Sequence, residues 1–200
     1  PRTSDRHLPS GKLGLSDMVA LATISGVIFF YAAGQLNTLA LMLSPVAVAY
    51  LILYPYAKRF TWAANLLLGW AIAIAPSAAW IGIRGSLDLE PVLLSFSVAC
   101  WASSFDILYH VQDEDHYVGN GLYSIAQRFG ISAAFWWARV LDTAALVSLG
   151  ALGIVMDLGM FYYLGCLAAM LLLIYKHSIV SPIDLSRMSI AFFRINGYLY

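Results

Sequence analysis

The residues best suited to chemistry lie together at the end of a long apolar segment. Residues 105–115 contain Asp106, Asp113 and Asp115. A carboxylate at membrane depth is costly unless it holds a cation, a proton or a partner. Mg²⁺ prefers carboxylate, water and phosphate oxygens, so Asp113 and Asp115, near the surface, are predicted as its ligands. The pattern indicates metal-dependent chemistry at a lipid boundary.

Asp106 and Asp113 share one helix face with Tyr109 or His110, provided that the helix continues through Asp113. The two carboxylates would then lie about 10 Å apart along the helix axis. This spacing favours a metal near the mouth of a pocket and a deeper polar contact at Asp106. The aromatic ring of Tyr109 could face a positive charge there. A solvated loop would explain 113–115, and an ordinary helix-end histidine would explain His110, but neither explains Asp106.

Two further groups of charges have competing explanations. Lys58 and Arg59 lie between two apolar segments. They could clamp a pyrophosphate, with Arg supplying bidentate geometry and Lys a point charge, or they could simply anchor the chain at the membrane surface. Arg139 and Asp142 lie three residues apart within one apolar segment, where an internal ion pair is the simpler explanation than a catalytic role.

The elements that must position these residues are membrane helices. A chain that is 61% hydrophobic and 11% charged is too apolar for a soluble domain, and a net charge of zero offers no field to attract nucleic acid. Seven segments approach the roughly 20 residues that span a bilayer. They are 16–33, 37–56, 64–83, 91–111, 131–155, 159–175 and 189–200. The sequence therefore predicts an all-α, polytopic transmembrane bundle, with close helix contacts at Gly26, Gly69, Gly150 and Gly165.

The loop charges predict how this bundle is oriented. One side carries most of the basic residues, namely Arg2, Arg6, Lys12, Lys58, Arg59, Arg128, Lys176 and Arg187. The other side has Arg84 as its basic residue, together with Asp88, Glu90 and Asp157. The positive-inside rule places the first side, and with it the acidic run, in the cytoplasm. Because the chain starts at Pro1 and stops within an apolar stretch, we expect an internal fragment of a longer membrane protein.

Three blocks of sequence resemble the UbiA family of intramembrane aromatic prenyltransferases, closest to the 4-hydroxybenzoate polyprenyltransferase type and its menaquinone-pathway relatives. The first block is Pro1-Arg2-Thr3 with Arg6 and Leu8-Pro9-Ser10-Gly11. The second is Tyr54-Pro55, Lys58-Arg59-Phe60-Thr61 and Leu68-Gly69. The third is Phe105-Asp106-Ile107-Leu108-Tyr109, Gln112-Asp113, Gly121-Leu122, Ser124-Ile125 and Arg128-Phe129-Gly130. They follow the family's order across nearly the whole chain.

The resemblance implies one transmembrane domain over 1–200, truncated at both ends, with about seven of nine helices present. It implies Mg²⁺-dependent transfer of a polyprenyl group from a polyprenyl diphosphate to a hydroxylated aromatic acid in ubiquinone or menaquinone biosynthesis. The expected location is the bacterial inner membrane, with the active-site loops in the cytoplasm. Asp106, Asp113 and Tyr109 become the predicted catalytic residues, Asp113 and Asp115 the Mg²⁺ ligands, and Lys58, Arg59, Arg2 and Arg128 the pyrophosphate-side cations.

Two departures from the family pattern leave alternatives open. The first aspartate motif is expected upstream of Pro1, and the second motif has Tyr117 where its last aspartate belongs. Asp115 could supply the missing oxygen from a shifted position, or the chain could be a catalytically impaired homologue. A transporter or proton-conducting protein using Asp106, Arg139 and Asp142 is the alternative from a different class. Acceptor identity, prenyl chain length and oligomeric state are not readable from these residues.

Overall fold

The computed structural model describes residues 10–111, 121–182 and 197. Seven α-helices and one 3₁₀ turn form this part of the chain, which contains no β-strand. In chain order they are α1 Leu15–Leu36, α2 Thr38–Leu53, the 3₁₀ turn Tyr54–Arg59, α3 Ala64–Arg84, α4 Leu89–Val111, α5 Ile125–Phe129, α6 Ile131–Val155 and α7 Met160–Ile179.

Six of these elements are long and apolar enough to cross a membrane: α1, α2 together with the 3₁₀ turn, α3, α4, α6 and α7. They confirm six of the seven predicted segments to within a few residues. The seventh, 189–200, lies outside the described residues except for Gly197. The short helix α5, which connects α4 to α6 after residues 112–120, was not among the predicted spans.

Polar residues fix where α2 and α3 begin and end. The Asn37 side chain accepts a hydrogen bond from the Ala40 N–H (2.8 Å), which caps the start of α2. Its amide nitrogen donates to the Ile81 carbonyl near the end of α3 (2.7 Å), so one residue joins two helix ends. The left-handed backbone of Gly85, at φ +70°, then terminates α3 with an N–H bond to the same carbonyl (2.8 Å).

Helix α4 is the central element, since it packs against both α3 and α6 and buries about half of its length. Its closest approach to α3 is at Gly69, where a Cβ atom would overlap the Ser103 hydroxyl and the Ala99 carbonyl. This confirms the predicted contact at Gly69. For the other three glycines the described residues show no such contact, because a Cβ at any of them would meet no described atom within 4 Å.

Serine hydroxyls join α4 to α6 within the apolar interior. Ser97 donates to the Ala145 carbonyl (3.0 Å), and Ser148 donates back to the Leu93 carbonyl (2.7 Å). Small side chains that hydrogen-bond across helices are typical of membrane bundles, where burial of apolar area gives little net drive for association. These bonds hold α4 and α6 in a defined register.

The packed core lies at the end of α4 that precedes residues 112–120. Its buried members come from α4, α5, α6 and the residue after α7: Ile107, Leu108, Val111, Ile125, Ala126, Ala134, Phe135, Ala138 and Val180. In contrast, α1 and α2 each bury one described residue, Ala33 and Ser44 respectively. The best-packed region of the structure is therefore the region that surrounds Asp106.

Candidate active site at the ends of α4 and α5

Asn65, in the first turn of α3, is the centre of a buried polar network. Its side-chain amide nitrogen donates to Asp106 Oδ2 on α4 (2.8 Å) and lies 2.6 Å from His110 Nδ1, one turn further along α4. Its amide oxygen accepts from the backbone N–H of Ile125 at the start of α5 (3.2 Å). Asn65 is 1% exposed and Asp106 is 6% exposed. Three helices thus meet at one side chain.

The two bonds at opposite ends of the amide define its orientation. The oxygen must face the Ile125 N–H, so the nitrogen faces Asp106, and its second hydrogen is directed to His110 Nδ1. Nδ1 then accepts, which puts the proton of a neutral His110 on Nε2. The 3.2 Å contact between His110 Nδ1 and Asp106 Oδ2 becomes an ion pair when the ring is protonated on Nδ1.

Backbone and ring contacts hold the chain that follows residues 112–120. The Tyr123 N–H donates to the Lys58 carbonyl in the 3₁₀ turn (2.7 Å), two residues before the Ile125 bond to Asn65. The rings of Trp62 and Phe129 meet edge to face at 5.1 Å. Residues 123–129 are therefore fixed to the region between α2 and α3, which carries the basic pair.

The basic residues predicted to bind pyrophosphate lie at this same end of the bundle. Lys58 and Arg59 end the 3₁₀ turn with exposed side chains, and the Arg59 guanidinium lies 6.0 Å from the Tyr56 ring centre. Arg128 is exposed in the last turn of α5. All three side chains are exposed, and no described carboxylate forms an ion pair with any of them. Arg2 lies outside the described residues.

The structure describes Tyr109 but not the predicted metal ligands. The ring of Tyr109 lies 5.9 Å from that of His110, so it adjoins the Asn65 network on α4. Asp113, Asp115 and Tyr117 lie outside the described residues, and α4 is described as far as Val111. The part of the chain that the structure describes contains no group of three His, Cys, Asp or Glu residues able to hold a metal. The Mg²⁺ assignment to Asp113 and Asp115 stays a prediction.

The predicted ion pair between Arg139 and Asp142 was wrong. Asp142 Oδ2 instead contacts Lys176 Nζ at 2.5 Å and His177 Nε2 at 2.7 Å, both on α7, whereas Arg139 is exposed. Lys176 was also wrongly counted as a loop residue, since it is 1% exposed and reaches Ser104 on α4 at 3.4 Å. A lone acidic residue in the middle of a span requires a cation, and that requirement was the sequence signal for this pair.

The three residues of the proposed relay do not form a connected path. Ser104, which contacts the Asp142 cluster, and Asp106, which contacts Asn65, are two positions apart on α4. Residues at this spacing point to nearly opposite sides of a helix. Asp106 and Asp142 therefore belong to separate polar groups on different sides of α4, which removes the structural basis for a relay through Asp106, Arg139 and Asp142.

Comparison with known proteins shows which family the chain belongs to. The sequence model of the UbiA prenyltransferase family matches residues 1–198. The chain belongs to this family. It is 33% identical over 183 residues to a 4-hydroxybenzoate octaprenyltransferase of Cronobacter sakazakii, covering 92% of this chain and 63% of that protein. It is 28% identical over 191 residues to a protein of the same name from Francisella tularensis subsp. novicida, covering 96% and 67%.

A solved structure shows the same fold. The UbiA homologue from Aeropyrum pernix K1, in its apo form, superposes with a TM-score of 0.88 at 28% identity, covering all of this chain and 74% of that one. The chain thus spans about two thirds of the length of the curated UbiA relatives it matches. Family membership together with six membrane-length helices makes it an integral membrane protein.

Proposed function

We propose that the protein transfers a polyprenyl group from a polyprenyl diphosphate to a hydroxylated aromatic acid of the 4-hydroxybenzoate type, in quinone biosynthesis. The names of the UbiA relatives support this reaction class. The observation that carries the proposal is the Asn65 network, because it joins a buried carboxylate, Asp106, to the first turn of α3 and to the start of α5. The proposal also includes the organisation of the protein: residues 1–200 form a single domain, which is open to the cytoplasmic side of a bacterial inner membrane.

The reaction breaks the allylic C–O bond of the diphosphate and forms a bond from the same carbon to a ring carbon of the acceptor. The ring carbon then loses its proton, which the released diphosphate can accept. Lys58, Arg59 and Arg128 would bind the leaving diphosphate, whose negative charge increases as the bond breaks. The carboxylate of Asp106 and the ring face of Tyr109 would stabilise the positive charge on the allyl group. The surrounding apolar helices exclude water that would capture the cation.

Mg²⁺, when bound, would neutralise diphosphate oxygens and so make the diphosphate a better leaving group. Asp113 and Asp115 are the residues proposed to hold it, since a carboxylate pair is a donor set that suits this cation. Asp115 is included because Tyr117 stands where the second family aspartate is expected. The hydrogen bonds of Tyr123 and Ile125 support this arrangement by fixing the chain that follows the acidic segment.

The experiment is a transfer assay with the full-length protein in membranes, supplied with a polyprenyl diphosphate and 4-hydroxybenzoate, with and without Mg²⁺. We expect prenylated product only with the metal. Asp113→Asn and Asp115→Asn should each abolish it, whereas Asp88→Asn, at the opposite end of the bundle, should not. Failure to prenylate hydroxybenzoate or a dihydroxynaphthoate acid, despite correct insertion, would reject the proposal. Loss with Asp113→Asn but not with Asp115→Asn would reject the shifted ligand alone.

A further inference from the structure

A second polar site lies between α6 and α7, on the side of α4 away from Asp106. It is a cleft of about 370 Å³, within the size range of pockets that bind small molecules. Its polar lining comes from Arg139, Asp142, Thr143, His177 and Ser178. Its apolar lining comes from Leu146, Met170, Leu173 and Ile174. The cleft plays no part in the proposed transfer reaction.

Two buried acceptors in this cleft have no described partner. Lys176 and His177 both contact Asp142 Oδ2, which leaves Asp142 Oδ1 buried with no hydrogen bond. His177 donates through Nε2 to that carboxylate, so its Nδ1 is an acceptor in the neutral ring, and Nδ1 is also buried without a partner. Leaving such groups unsatisfied is costly. A complementary ligand would bring hydrogen-bond donors.

The charges of the cleft call for a ligand with one negative charge. Asp142 and Lys176 cancel each other as an ion pair. Arg139 then contributes an excess positive charge, because it is exposed at the cleft and no ion pair joins it to another described residue. A monoanion that carries hydroxyl donors satisfies both the charge and the two buried acceptors.

The surroundings of the cleft indicate that this monoanion arrives from the bilayer. Beside it on α7, Leu171, Ile174 and Tyr175 are exposed large side chains. Four apolar side chains line the cleft itself and suit an alkyl chain. His177 and Ser178 lie within the last turn of α7, which ends at Ile179 on the face predicted to be cytoplasmic. Basic pockets between transmembrane helices at that face bind anionic lipid headgroups.

We propose that the cleft between α6 and α7 binds the headgroup of a hydroxylated monoanionic phospholipid of the phosphatidylglycerol class. Its phosphate contacts Arg139, its free hydroxyls donate to Asp142 and His177, and one acyl chain lies against the apolar lining. The site is independent of the transfer reaction, so its test uses binding and not activity.

The test is native mass spectrometry of the full-length protein in detergent, titrated separately with three lipids of identical chains. Phosphatidylglycerol carries the charge and the hydroxyls, phosphatidylmethanol carries the charge alone, and phosphatidylcholine has neither a net charge nor a hydroxyl. We expect phosphatidylglycerol to bind about tenfold more tightly than phosphatidylmethanol, as hydrogen bonds to a buried carboxylate provide. Phosphatidylcholine should bind most weakly. Equal binding of the two anionic lipids would overturn the proposal.

Variants assign the binding to the cleft. Arg139→Gln should weaken binding of both anionic lipids about fivefold, as expected for one basic side chain near the membrane surface. Arg84→Gln is the matched control, since this exposed arginine ends α3 at the other end of the bundle. His177→Phe should remove the preference for phosphatidylglycerol over phosphatidylmethanol. Equal effects of Arg139→Gln and Arg84→Gln would also overturn the proposal, because they would reveal non-specific charge attraction.

Discussion

Replacing Asn65 by leucine is the sharpest perturbation of the candidate active site. Leucine has the same branched shape and number of heavy atoms but can neither donate to Asp106 nor accept from the Ile125 N–H. The substitution therefore removes hydrogen bonds without creating a cavity. It leaves a carboxylate that is 6% exposed, and a buried backbone N–H, without their observed partner.

The expected loss of stability follows from these two groups. A hydrogen bond to a charged group contributes about 1.5–3 kcal/mol, and a buried unsatisfied N–H costs about 1–3 kcal/mol. Interhelical hydrogen bonds in a membrane protein average about 0.6 kcal/mol when the unfolded state finds other partners. The two contributions to Asn65→Leu together amount to about 2.5–6 kcal/mol. Because Asp106 keeps its 3.2 Å contact with His110, we expect a loss near the lower end of this range, about 3 kcal/mol. For a chain of this size, that lowers the melting temperature by about 6–12 °C.

Asn37→Leu is the matched control. Asn37 also joins helices, but all of its partners are neutral: it accepts from the Ala40 N–H and donates to the Ile81 and Gly82 carbonyls. Neutral hydrogen bonds are worth about 0.5–1.5 kcal/mol each, less than a bond to a charged group. Thermal unfolding of both variants of the full-length protein in detergent, followed by transfer activity per folded molecule, separates stability from positioning. Asn65→Leu should lose at least about 90% of its activity, because a displacement of about 1 Å costs on the order of a hundredfold in rate. Asn37→Leu should retain its activity.

Two results would refute this reasoning. Equal melting temperatures for the two variants would show that the charge and burial of Asp106 do not distinguish its hydrogen bond from a neutral one. Retained activity in Asn65→Leu would show that the network does not position the site. A nitrogen NMR measurement supplies an independent check, since the bond to His110 Nδ1 predicts the Nε2–H tautomer in the natural protein.

Three further predictions concern the rest of the fold. Gly69→Ala should destabilise the protein by about 2 kcal/mol or more in thermal unfolding, because the added methyl group forces α3 from α4. Gly150→Ala should instead be neutral or stabilise the protein by up to about 1 kcal/mol, because it adds helix propensity without meeting a described atom. Lys176→Met should lower the free energy of unfolding by about 3–5 kcal/mol, because it leaves the buried carboxylate of Asp142 without its cation. Adding Asp142→Asn to this variant should recover part of the loss. Hydrogen bonds from Trp80 and Ser86 lower the pKa of Asp88, so Trp80→Phe should raise that pKa in a carbon NMR titration. Asp88 therefore stabilises the fold above its unfolded pKa of about 3.8, and this contribution is lost as pH falls through the lower folded pKa.

The helices were predictable because each is long, apolar and ended by local signals. A span of roughly 20 apolar residues can satisfy its backbone in lipid only as a helix, whatever its neighbours are. The six predicted segments that the structure describes therefore agree with it to within a few residues. Among the described residues, three of the four predicted glycine contacts are not seen, because a small residue permits a close helix contact but does not create one. Gly69 makes that contact because small residues of α4 lie opposite it.

The sequence by itself determined the membrane class and the end of the bundle at which the candidate site lies. It placed Lys58, Arg59, Asp106 and Arg128 at that end, since apolar segments alternate in direction across a bilayer. It could not determine which polar residues meet, because a pairing depends on helix rotation and tilt, which no single helix specifies. Tertiary packing decided that Asn65 reaches Asp106 and that Asp142 pairs with Lys176 on α7 instead of Arg139 on its own helix. A buried carboxylate is satisfied by whichever donor the neighbouring helix brings within about 3 Å, and spacing along one helix does not reveal that donor.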